Sequence, residues 1–100
     1  MAHLVVESGA DKRKIFALTG KPKFVCGRSP KADVVINDPF ASSQHFGLLY
    51  KEGYWYIQDL KSSNGVELNE ERITSSKLTD NDIIHVGSTY LRFVDPADVA

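Results

Sequence analysis

The sequence predicts an all-β fold, a β-sandwich of about ten to eleven short, mostly antiparallel strands. Three observations carry this. The apolar runs are all of strand length, from Leu4-Val5-Val6 to Thr89–Val94. Gly, Pro and Asn/Asp clusters interrupt them too often for long helices. In the clearest run, Tyr54 to Leu60, alternate residues fall on opposite faces: Trp55, Ile57 and Asp59 on one, Tyr54, Tyr56 and Gln58 on the other.

Taken in order, Leu4–Val6 reads as a first strand, followed by the turn cluster Ser8-Gly9-Ala10-Asp11. Lys14–Leu18 is a second, stopped by Thr19-Gly20 and Lys21-Pro22. Phe24-Val25-Cys26 is a third, ending at Gly27, and Val34-Val35-Ile36 a short fourth, closed by Asn37-Asp38-Pro39. Phe46–Tyr50 and Tyr54–Leu60 flank Lys51-Glu52-Gly53, a tight hairpin. Trp55 and Ile57 are its expected core residues, because the Tyr rings carry hydroxyls that can reach water. Val66–Leu68 is short and reads as an edge strand. Asn69-Glu70-Glu71 turns into Arg72-Ile73, and Thr79-Asp80-Asn81-Asp82 is another turn after Leu78. Ile83–Val86 and Thr89–Val94 then pair across Gly87-Ser88, and Asp95-Pro96 closes the domain.

A chain of 100 residues with 42% hydrophobic content suits one small domain over 1–100. Its core is expected at about 3–94, with 95–100 as a tail or linker. A domain of this size could be part of a longer multidomain chain. The formal net charge is −1 with 25% charged residues, which lacks the basic excess of a nucleic-acid binder and the imbalance of a disordered chain. Any anion site must therefore be local, built from a few aimed donors. Cys26 is the single cysteine, so no intrachain disulfide can form; this fits a reducing compartment, and a cytoplasmic location is expected. No apolar run approaches membrane-spanning length and no signal-peptide pattern opens the chain.

Three clusters sit where apolar runs stop: Gly27-Arg28-Ser29, Ser42-Ser43-Gln44-His45 and Ser62-Ser63-Asn64-Gly65. Together they offer a guanidinium, several hydroxyls and an amide, with few carboxylates close by. Such a donor-rich set suits a phosphate.

The order Gly27-Arg28, Ser42-x-x-His45, Ser63-Asn64-Gly65 resembles the forkhead-associated (FHA) domain. Asp33-Val34, Trp55, Asp59-Leu60, Leu78, Asp82, Ile84 and Gly87 stand at the family's spacing, so the match covers roughly Phe24 to Val94. The resemblance implies an eleven-stranded FHA/SMAD-like β-sandwich whose loops at one end bind phosphothreonine peptides in Ser/Thr-kinase-linked signalling. Carried over by position, Arg28, Ser42 and Ser63 would contact the phosphate and Asn64 the peptide main chain. Ser43 stands where an arginine or asparagine often helps. Gly27, His45 and Gly65 would be structural. The chain departs from the pattern at Val66 for threonine, Glu70 for glycine and Asn81 for glycine, the last a residue that tolerates left-handed backbone. Ser43 in place of a larger donor implies affinity toward the weak end.

The same residues admit other readings. A phosphate-independent interaction domain of the same fold is the alternative. His45 beside Ser42 or Ser43 suggests a serine hydrolase, but no acidic orienter is evident nearby in sequence, so a structural histidine and no enzyme activity are expected. His3, His45 and His85 lack ligand spacing, so no metal or other cofactor is expected. Tyr50, Tyr54, Trp55 and Tyr56 could stack on single-stranded nucleic acid, but no basic groove accompanies them and packing is preferred. Phe40 and Lys61 lie near the clusters and could read side chains flanking a phosphothreonine.

Overall fold

The computed structural model describes residues 2–96. Eleven strands follow in chain order: β1 (His3–Val6), β2 (Ile15–Ala17), β3 (Lys23–Gly27), β4 (Val34–Val35), β5 (Phe46–Lys51), β6 (Tyr54–Asp59), β7 (Val66–Leu68), β8 (Glu71–Ile73), β9 (Ser75–Lys77), β10 (Ile83–Val86) and β11 (Thr89–Val94). They form a six-stranded sheet in the order β2-β1-β11-β10-β7-β8 and a five-stranded sheet in the order β4-β3-β5-β6-β9. Pairing is antiparallel except between β3 and β4, which run parallel.

The period-two burial expected of half-buried strands is plain in β1 and β10, where inward residues alternate with half-exposed ones. Leu4, Val6, Ile84, Val86, Leu91 and Phe93 of one sheet meet Phe46, Leu48, Ile57 and Cys26 of the other, all buried. Trp55 is buried, with its ring centroid 5.9 Å from Phe24 and 5.3 Å from Tyr50. Tyr50 and Tyr54 remain exposed, as their hydroxyls prefer. The β5–β6 hairpin turns on Glu52 (φ 53°) and Gly53 (φ 89°), the doubly left-handed I′ pattern that matches strand twist. Asn81 takes φ 72°, the conformation expected of it.

One expectation needs correction, and one strand went unannounced. β7 is an interior strand, between β10 and β8, and β8 forms the edge. Its brevity suggested an edge, yet Val66 and Leu68 both face the core. β9 had no sequence signal: Ser75-Ser76-Lys77 has no apolar alternation, and it is a strand because the backbone of β6 offers it a ladder. Of the expected tail, Asp95 donates its N–H to the Asp80 carboxylate at 2.8 Å, and residues 97–100 lie outside the described residues.

Candidate functional site

The segments after β3, before β5 and between β6 and β7 meet at one end of the sandwich. Arg28 follows directly on β3. Its N–H donates to Ser42 O (2.9 Å) and that of Ser29 to Ser43 O (3.2 Å), so the two loops run side by side. Gly27 makes this possible by close approach. A Cβ there would lie 2.2 Å from Ser43 O and 2.8 Å from Ser42 O, inside any tolerable contact. Arg28 is exposed, and its Nε donates to Ala41 O at 3.0 Å. That bond aims the guanidinium. Among the described residues its terminal nitrogens have no partner and no carboxylate forms an ion pair with it.

Ser42 joins the second loop to the third. Its Oγ accepts the Ser63 N–H at 3.0 Å, which leaves the hydroxyl proton available to a ligand. The Ser63 side chain is exposed and its hydroxyl is unengaged among the described residues. Arg28, Ser42 and Ser63 are therefore brought together at this end of the sandwich. Ser43 shares the loop, and its carbonyl holds Ser29. Its exposed hydroxyl is tied to none of the other three.

Asn64 is exposed and donates from Nδ2 to Phe40 O at 2.8 Å. That bond uses one amide proton and leaves the other, with Oδ1, for a peptide backbone. The loop carrying it is self-bonded: Ser62 N–H to Asp59 Oδ1 (3.0 Å) and Gly65 N–H to Ser62 Oγ (3.0 Å). Lys61 sits in left-handed backbone at φ 58° and Gly65 at φ 82°. The Arg72 guanidinium packs over Gly65, 2.6 Å from where a Cβ would stand.

His45 is fully buried beneath these loops. Its Nδ1 accepts the Ser42 backbone N–H at 3.0 Å, and Nε2 faces Gly65 O at 2.8 Å. A carbonyl can only accept, so the proton is on Nε2 and the ring is the neutral tautomer. Both ring nitrogens are spent on backbone. Neither is available as a base for Ser42 or Ser43, which removes the geometric ground for a hydrolase. Among the described residues, no group of His, Cys, Asp or Glu could hold a metal ion.

Asp38 is the residue that sequence reasoning missed. It is 3% exposed and accepts three bonds, from Phe40 N–H (2.8 Å), Ser88 N–H (2.7 Å) and Thr89 Oγ1 (2.7 Å). Burial pushes its carboxyl up, but the donated hydrogen bonds outweigh that and hold it below the ordinary 3.8. It ties the Phe40 segment to the β10–β11 turn, where Gly87 leaves room: a Cβ there would lie 2.8 Å from the carboxylate. In sequence Asp38 reads as a turn residue between Asn37 and Pro39, and nothing nearby announces partners fifty residues on. A cleft of about 200 Å³ opens beside it, lined by Phe40, Asn64, Gly65, Glu67, His85 and Gly87.

The arrangement is a shallow, donor-rich end with one aimed guanidinium, two free hydroxyls and an amide. It can hold a tetrahedral anion and an adjoining extended backbone. The FHA domain family model matches residues 24–87. The FHA domain-containing protein FhaB of Mycobacterium tuberculosis is 32% identical over 74 residues, 74% of this chain and 47% of that protein. The chain thus spans about half of that relative's length. The FHA domain of CT664 from Chlamydia trachomatis has a TM-score of 0.86 at 30% identity, covering 94% of this chain and 96% of that one. The N-terminal FHA domain of Rad53p from S. cerevisiae, solved with a phosphothreonine peptide, shares the fold at a TM-score of 0.85 and 22% identity, over 96% and 94% of the two chains.

Proposed function

Because this chain belongs to the FHA domain family, we propose that its loop end binds phosphothreonine in a protein partner and so serves as an interaction module in Ser/Thr-kinase-linked signalling. Arg28, Ser42 and Ser63 take the phosphate, Asn64 takes the peptide main chain, and Ser43 lies at the rim. Gly27, His45 and Gly65 shape the loops. One observation carries the reading: Arg28 and Ser63, far apart in sequence, are each hydrogen-bonded to Ser42 and present unengaged donors.

The donors match the chemistry of a phosphate ester. Phosphothreonine carries about −1.5 to −2 charge at neutral pH and three acceptor oxygens. Charge-assisted hydrogen bonds contribute about 1.5–3 kcal/mol each. Three of them total about 4.5–9 kcal/mol against an association cost of about 4 kcal/mol or more, so micromolar affinity also needs the main-chain contacts at Asn64 and those along the flanking peptide. The site binds the phosphate and does not cleave it, a reading supported by the full engagement of His45 with backbone. We read residues 3–94 as the binding module, since β1 and β11 at its two ends pair in one sheet. The chain spans about half of FhaB, and we read the module as one that works within a longer protein. A single buried thiol fits the reducing cytoplasm.

The test is titration of phosphothreonine peptides and their unphosphorylated twins against wild type and Arg28→Ala. The expected result is binding only of phosphorylated peptides, weakened at least about tenfold by loss of the guanidinium. Equal binding in all arms refutes the reading. Partner binding that survives phosphatase treatment would instead favour phosphate-independent recognition.

A further inference from the structure

The cleft beside Asn64 does not end at the loops. It shares Glu67 and His85 with a second cleft of about 270 Å³, lined also by Asn69, Glu70, Ile83 and Tyr90. The two clefts adjoin across the Glu67–His85 pair, and the second lies beyond the proposed phosphate site on the outer face of the six-stranded sheet.

The groove has a definite chemistry. Tyr90 is 42% exposed and lies parallel to the His85 ring, with centroids 4.1 Å apart. His85 Nδ1 is 3.1 Å from Glu67 Oε1, which leaves the second carboxylate oxygen of Glu67 unengaged. Asn69 is fixed as wall: its Nδ2 donates to Asp82 Oδ1 and its Oδ1 accepts the Ile83 N–H, both at 2.9 Å. Apart from His85, which meets one Glu67 oxygen, the nearby cationic side chains point elsewhere. Arg72 stands across the ladder from Glu67 but packs over Gly65. Arg92 pairs with Glu7. Glu70 has no hydrogen-bond or ion-pair partner among the described residues.

We propose that this lower groove takes a lysine or arginine side chain of the same phosphothreonine peptide, held by the Glu67 and Glu70 carboxylates over the Tyr90 ring. The inference rests on the phosphothreonine reading above. Two features identify the occupant: the cleft adjoins the proposed phosphate site, and Glu70 with the second Glu67 oxygen sets negative charge beside the exposed Tyr90 ring, which together suit a cation. Reach fits as well. Glu67 is three residues beyond Asn64, about 10 Å at strand rise, and Glu70 lies further along. An extended peptide covers that span with about three to six residues.

The experiment uses single-phosphothreonine peptides with alanine flanks. Lysine, and separately glutamate, replaces alanine at each position three to six residues to either side. The proteins are wild type, Glu70→Gly, and the pair Glu67→Gln with Glu70→Gln. Glu70→Gly suits the left-handed backbone at φ 70° and so keeps the fold. Lysine at positions on one side should tighten wild-type binding about two- to fivefold at low salt, the range of an exposed ion pair. Glutamate there should weaken it. Glu70→Gly should reduce the lysine advantage and the double variant erase it, while the alanine-flanked peptide binds all proteins alike. If alanine-flanked peptide binds and no lysine position helps, the groove proposal alone falls. A lysine advantage that survives the double variant also overturns it. If no phosphorylated peptide binds, it falls together with the function on which it rests.

Discussion

Replacing His45 by phenylalanine separates the architecture of the site from its ligand contacts. The side chain is fully buried and joins two loops, accepting from Ser42 N–H at 3.0 Å and facing Gly65 O at 2.8 Å. Phenylalanine leaves no cavity, and its bulkier ring can only crowd the two loops further. What is lost is the pair of bonds, and two backbone groups are left unsatisfied. Each costs about 1–3 kcal/mol when buried. Ser42 is half-buried, so its share lies at the low end, and a total of about 2–4 kcal/mol is expected. In a domain of this size that is a fall in Tm of roughly 10–20 °C. Binding should suffer too, because Ser42 Oγ and the Ser63 loop are held in register through this ring. Forfeiting one charge-assisted bond alone lowers affinity about tenfold. Urea denaturation with a parallel phosphopeptide titration checks both effects. Arg28→Ala is the control with the opposite pattern: the residue is exposed, so its stability should change little while binding collapses. A His45→Phe protein within about 0.5 kcal/mol of wild type, binding normally, would refute the argument that this histidine serves structure.

The remaining expectations are shorter. Gly27→Ala drives a Cβ into the Ser43 carbonyl, so it should destabilise by about 1–3 kcal/mol and displace the loop that aligns Ser42, with binding lost by titration. Gly53→Ala, with nothing within 4 Å, is its control: it should cost about 1 kcal/mol from its positive φ in a denaturation curve and leave binding intact. Asp38 is held below its ordinary value because donated hydrogen bonds outweigh burial, and Asp33 because of Lys21, reinforced by the Val25 N–H. A depressed carboxyl stabilises the fold above its unfolded pKa and loses that contribution as pH falls through the folded one. Stability should therefore be flat with respect to these groups above about pH 5 and decline below about pH 4, with a shallower decline in Asp38→Asn, as read by denaturation at stepped pH. Burial, and less so the charge of Asp33, pushes the Cys26 thiol far above its ordinary range. It should resist alkylation at neutral pH in the native protein and react only on unfolding, measured by mass spectrometry with and without denaturant.

Much of this molecule is written locally. Gly27-Arg28, Ser42-x-x-His45 and Ser63-Asn64-Gly65 fix which donors are present, and Gly53 and Asn81 adopt the left-handed backbone that their residue types admit. Alternation along β6 sends Trp55 and Ile57 inward and leaves Tyr54 outside. These features depend on a few neighbours, through sterics and side-chain size, so a reader of the chain can find them. Other features depend on partners that only the fold brings near. Ser75–Lys77 becomes a strand because β6 lies beside it, and β7 is interior because β8 closes the edge. Asp38 meets Thr89 across 51 residues, and both nitrogens of His45 are taken by backbone, one of them twenty residues away. The sequence by itself determined the chemistry of the donors and the turns that carry them. Tertiary structure decided which groups are already spent on the protein and which remain free for a ligand, because hydrogen-bond valence is consumed by whatever lies within three ångströms, however distant along the chain.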